Sequence, residues 1–175
     1  MNFWIARNES LAYLQEHCAA RIVLLEHIFE AIDLCIDSFE QCSDETFAHV
    51  CGLTLLKAKN LAIGSYSLIL DGLAQEAGAL MRPFIEYTEL LTYFRAYPAM
   101  VERALQDDLP SAGNRGKAID GIYKGFREHL NSHAAHSSYS PFSLSHLQEP
   151  KTLKFKKLQL AVPHVLERNL KDFIV

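Results

Sequence analysis

Apolar residues recur at helical spacing from the start of the chain. Leu11, Leu14, Cys18, Ile22, Leu25, Phe29, Ile32, Ile36 and Phe39 form one line. From Cys18 onward its steps alternate between four and three, the seam that knobs-into-holes packing requires. The pattern predicts a single helix over residues 9–41, about 50 Å long at ~1.5 Å per residue. Asn8 or Ser10 can cap it, with Glu9 close to its positive end. A second line, Leu24, Ile28, Ala31 and Cys35, makes the stripe wider than one neighbour can cover. The helix is therefore expected inside a bundle, and the chain is expected to dimerise.

Ser43, Asp44 and Glu45 form the next helix-start signal after only a few linking residues. A second helix should thus fold back antiparallel on the first, with Phe47, Cys51, Leu55, Ala58, Ala62, Ile69 and Leu73 on its apolar line. Gly64, Gly72 and Gly78 each weaken it by up to ~1 kcal/mol relative to Ala and suggest a closely approaching backbone. Pro83 is expected to kink or break the helix, and a further helix to run from Pro83 to about Tyr97. Downstream, a short helix is expected over 98–106 and a loop over 107–117, where Pro, Gly, Asn and Ser cluster. A histidine-bearing helix from about Lys117 to Ser137 follows, closed by Tyr139-Ser140-Pro141. Residues 151–160 alternate like a strand, but a lone strand has no partner, so a last helix over 152–173, kinked at Pro163, is preferred. The fold expected is all-α: one domain over 1–175, a five- or six-helix up-down bundle with a long antiparallel helix pair. The apolar end Ile174-Val175 points to packing, or to truncation of a longer protein.

Composition narrows the function classes. The chain has 175 residues, 49% of them hydrophobic, and a net charge of −4 from 17 basic and 21 acidic residues. That is ordinary globular composition and argues against a generic nucleic-acid coat. The charge is uneven, however: nine acids lie in residues 1–50 against Arg7 and Arg21, while Lys151, Lys154, Lys156 and Lys157 cluster late. Cys18, Cys35, Cys42 and Cys51 show no metal spacing, and Cys18 and Cys35 sit on or beside the apolar stripe. No signal peptide and no apolar run near the ~18 residues of a membrane span is evident, so a reduced, cytoplasmic protein without membrane partners is expected.

The polar residues that most need explaining lie in two segments. His129, His133 and His136 recur at i, i+4 and i+7, within about 40° of one line on a helix. Arg127, Asn131 and Ser132 stand among them, and Tyr123 one turn before. Upstream, Arg82 and Glu86 are one turn apart in apolar surroundings, with Gln75, Glu89 and Tyr93 extending the line. If that helix is central, Arg82 and Glu86 must satisfy each other or reach the histidine helix. A buried hydrogen-bond cluster and a working site both fit. Metal binding fits poorly: His129 and His133 have the spacing of a helical zinc pair, but no general-base Glu lies between them and no third ligand is evident. No metal and no cofactor is expected. Acid–base chemistry is more plausible, since imidazole titrates near neutral pH and Arg127 or Arg82 can hold a phosphate.

Residues 72–94 resemble the small–apolar–Leu-Leu-Arg-x-x-x-Glu helix of uncharacterised bacterial helical proteins, here around Arg82 and Glu86. Leu130-Asn131-Ser132 through His136-Ser137 resembles their later Leu-Ser/Asn-x-x-x-His helix. These families are similar to the HEPN superfamily of helical bundles, which often dimerise and include metal-independent ribonucleases of toxin–antitoxin and phage-defence systems. Their ribonuclease motif is Arg, a polar residue, a few more residues, then His. Arg127-Glu128 through His133 has that spacing, with Glu128 where Asn, Asp or His is commoner. If His136 is the family histidine instead, Arg127 lies too far upstream for the motif.

The resemblance implies a homodimer acting on RNA or on a partner protein, with Arg127, His133 and His136 as the catalytic candidates. A histidine would act as base toward a ribose 2′-hydroxyl and an arginine would stabilise the phosphorane-like charge. Arg82, Glu86, Tyr123, His129, Asn131 and Ser132 would form a binding or structural polar cluster. Two alternatives stay open: a non-catalytic helical interaction module with a structural Arg-Glu-His cluster, and a binder of a small anionic ligand.

Overall fold

A computed structural model describes residues 3–42, 44–121, 123–133, 141–149, 154–155 and 163–174. The protein is all-α. Its helices are α1 (Phe3–His17), α2 (Ala19–Gln41), α3 (Thr46–Leu70), α4 (Ala74–Ala96), α5 (Met100–Leu105), α6 (Ala112–Ala118), α7 (Lys124–His133), α8 (Pro141–Leu147) and α9 (Pro163–Ile174). Among the described residues extended pairing is limited to one isolated bridge between Gln148 and Phe155.

The long helix expected over 9–41 is two helices. Cys18 leaves helical geometry at φ −129° and ψ 23°, yet the hydrogen bonds run on across it, from Cys18 N–H to the Leu14 carbonyl and from Ile22 N–H to the Cys18 carbonyl. Leu14 and Cys18 are buried with Leu25 of α2 and with Ile69, Ala77, Leu166 and Leu170, so both halves share one core, and Leu25 is the buried residue of α2. At the near end Arg7 holds α1 to the foot of α3, its Nε and a terminal nitrogen donating to the two carboxylate oxygens of Asp71 at 2.7 and 2.5 Å. The hydrogen bond to Asp71 raises the already high pKa of Arg7. Cys35 is exposed rather than packed on the stripe, while Cys51 is buried, which pushes its thiol pKa up.

The break expected at Pro83 falls instead at Gly72. Leu73 N–H donates to the Leu68 carbonyl at 2.8 Å and Gly72 N–H to the Ile69 carbonyl at 3.0 Å. Gly72 has φ 75°. This is the Schellman closure, and it needs a left-handed residue that glycine supplies without steric cost. Pro83 lies inside α4, which continues through it; buried Met81 and Ile85 anchor the chain on either side. Ser65 on α3 donates to the Ala77 carbonyl at 3.2 Å, and a Cβ on Gly64 would lie 3.0 Å from Leu80 Cδ1. Further along, Val50 and Cys51 pack with Leu90, Tyr93 and Phe94. Contacts therefore run up α3 as they run down α4, and small residues bring the two backbones together.

The loop expected over 107–117 contains α6. Ser111 caps it by accepting a hydrogen bond from Asn114 N–H at 3.4 Å. Asp120, at φ 49°, ends the turn that follows, so the histidine helix starts at Lys124 rather than near Lys117. Its expected end, residues 134–137, lies outside the described residues, as does most of 150–162. Pro163 opens α9 instead of kinking a longer helix, a position that suits its fixed φ and missing N–H.

Candidate functional site

The site candidates divide between α4 and α7. Glu89 occupies the buried line of α4 with Ile85 and Tyr93 and is 4% exposed. Arg127, one turn into α7, reaches across and donates from a terminal guanidinium nitrogen to Glu89 Oε2. Their side chains are 12% and 5% exposed. The backbone of α6 and of the turn after it covers this pair. A Cβ on Gly116 would lie 2.9 Å from both terminal nitrogens of Arg127, and one on Gly121 would lie 2.5 Å from Glu89 Oε1. Gly121 N–H donates to the Gly116 carbonyl at 2.8 Å, which holds the two glycines over the pair. A side chain at either position would press on the paired groups.

Arg127, the candidate for stabilising a phosphorane, is thus engaged with a buried carboxylate. Glu89 Oε1 has no hydrogen-bond partner among the described residues, and with both side chains largely buried breaking the pair is costly. Arg82 and Glu86 satisfy each other: Arg82 Nε donates to Glu86 Oε1 at 3.2 Å, with side chains 36% and 23% exposed. They do not share the Arg127–Glu89 pair.

The histidine line is brought together only in part. His133 is the last residue of α7, and its side chain, like His136 altogether, lies outside the described residues. His129 is exposed and borders a cavity of about 280 Å³ with Gln75, Arg168, Asn169 and Asp172. Tyr123 packs against the Met81–Ile85–Leu130 cluster. Asn131 carries a buried Oδ1 with no hydrogen-bond partner among the described residues. Ser132 is exposed and donates to the Glu128 carbonyl one turn back. Among the described residues no group of three His, Cys, Asp or Glu is placed to hold a metal ion, and no helix is long and apolar enough to cross a membrane.

The sequence places Glu89 on the Arg82–Glu86 line and leaves its partner Arg127 unmarked. The available signal was the register of α4: Glu89 follows Ile85 by four and precedes Tyr93 by four, so a carboxylate stood in an apolar column and required a cation. Gly116 and Gly121 offered no such signal. Neither protein-family models, curated proteins nor solved structures give a match to this chain.

Proposed function

We propose that this chain is a HEPN-like bacterial helical-bundle protein working as a non-catalytic interaction module, its Arg and Glu residues serving the architecture. The observation that carries this reading is the burial of Arg127 against Glu89 under two glycines. An arginine that stabilises a phosphorane must reach substrate, and this one is enclosed. Homodimerisation belongs to the same proposal and is supported by Leu53, Leu56 and Ile63, 47%, 41% and 44% exposed along α3. We read the architecture as an up-down bundle around the antiparallel α3–α4 pair. With α1 and α2 counted as one helix, and α5 and α6 as connections, it has six helices among the described residues.

A metal-independent ribonuclease of a defence or toxin–antitoxin system is the second reading. It is favoured by exposed His129, which shares a cavity with Arg168, an imidazole and a cation of the kind that chemistry uses. The test is incubation of the chain with a labelled, unstructured RNA in EDTA, beside sedimentation of the wild type and Leu56→Lys. Intact RNA and a wild-type dimer that Leu56→Lys dissociates support the interaction module. Metal-independent cleavage that disappears in His129→Ala with unchanged helicity supports the ribonuclease.

A further inference from the structure

Two cavities adjoin beneath α7, and their chemistries differ. The larger, about 520 Å³, is walled by Ile28, Phe29 and Ile32 of α2, Phe84 and Ile85 of α4, and Phe173 of α9. The smaller is the His129–Arg168 cavity described above, about 280 Å³. Met81, Phe126, Asp172 and Phe173 line both, so one partition separates them. Interiors of folded domains are close-packed and seldom keep apolar voids larger than a few waters. The larger volume falls inside the range of small-molecule sites, which are mostly apolar with a few placed polar groups.

Its charged groups sit at the α9 side, with Thr88 of α4 and Tyr123 as its other polar lining. Thr88 is committed, donating to the Phe84 carbonyl at 3.0 Å. Lys171 lines the large cavity and Arg168 the small one; both are exposed, and neither has an ion-pair partner among the described residues. Asp172 is the acid between them. Lys171 and Asp172 balance within the large cavity, and Arg168 of the small one leaves the α9 rim over the two together positive, in a chain whose net charge is −4. A rim of that sign over an apolar chamber selects a ligand with a hydrophobic body and one anionic end.

We infer that the α2–α4–α7–α9 cavity binds an anionic amphiphile, a single apolar chain or ring system ending in a carboxylate or sulfonate. The apolar body lies between Phe29, Phe84 and Phe173, and the anion meets Lys171 and Arg168. This goes beyond the interaction-module reading: it uses none of the Arg127–Glu89 pair or the α3 face, so either can fail alone.

The experiment is a titration of the full chain with anilinonaphthalene sulfonate, followed by displacement with dodecanoate, dodecanol and dodecyltrimethylammonium. Melting is followed in parallel, since a ligand that binds only the folded state raises the midpoint by mass action. Expected are one saturable site, displacement by dodecanoate at about tenfold lower concentration than by the alcohol, and a higher melting point with dodecanoate. Lys171→Glu with Arg168→Glu, both on exposed positions, should abolish the preference for the anion while leaving the unliganded melting point in place. Ala62→Leu, which narrows the chamber wall, should weaken all three ligands alike. Absence of saturable binding overturns the proposal. So does equal displacement by carboxylate, alcohol and ammonium, or an anion preference that survives the double charge reversal.

Discussion

Gly121 and Glu89 stand so close that a methyl group on the glycine would come within 2.5 Å of the carboxylate oxygen and 3.3 Å of the Gly116 carbonyl. One of those neighbours is backbone and the other is held by Arg127, so neither can simply swing aside. Gly121→Ala should cost about 1–3 kcal/mol, the usual penalty for overpacking. Gly125, four residues on in α7, has nothing within 4 Å of its Cβ position. Gly125→Ala should stabilise the chain by about 0.5–1 kcal/mol through helix propensity alone. Urea unfolding of the two variants should therefore move in opposite directions.

Arg7 and Asp71 tie the first helix to the α3–α4 turn with side chains 32% and 23% exposed. Solvent screens a pair this open, so Asp71→Asn should lose only about 1 kcal/mol. Repeating the urea midpoints in 1 M salt should shrink the difference, because screening weakens the wild-type pair and leaves the amide unaffected. A difference that grows with salt would contradict the assignment.

Tyr13 donates its phenolic proton to Glu167 Oε1 at 2.5 Å, and that bond pushes its pKa up to about 12. The folded value lies above the ordinary phenol, so the contribution to stability is fully present below about pH 10 and is lost as pH rises through the folded value. Absorbance titration of phenolate should show late ionisation from Tyr13 and from Tyr66, whose pKa burial also pushes up, and Tyr13→Phe should remove the Tyr13 part alone. The wild type should lose its stability advantage over Tyr13→Phe as the pH rises from about 10 toward 12.

The helical class was legible because apolar periodicity is a local signal read directly along the chain. So was the self-contained Arg82–Glu86 pair, one turn apart. Boundaries were harder, since each pitted two local signals against the packing of distant segments. Pro83 looked like the stronger breaker, yet Gly72 closes α3 because the left-handed residue is needed where α4 must fold back. Cys18 sits within an unbroken heptad pattern, so no local signal marks the point where the chain leaves helical geometry. Ser111 was visible as a loop residue but also serves as a cap. The Arg127–Glu89 pair spans 38 positions. Each residue was conspicuous alone, as a cation near histidines and a carboxylate in an apolar column, but no spacing rule connects them. Arg127 accordingly reads as catalytic through its resemblance to the ribonuclease motif, while its partner Glu89 stays out of view.

The measurement that bears most directly on Arg127 is a double-mutant unfolding cycle of Arg127→Ala, Glu89→Gln and the two combined. If the arginine is architectural, Arg127→Ala should cost about 3–5 kcal/mol, because it leaves a buried carboxylate without its cation. The double variant should cost clearly less than the sum of the singles, since the partners depend on each other. Arg127→Ala within about 0.5 kcal/mol of wild type, with additive singles, would contradict the account and release Arg127 for catalysis.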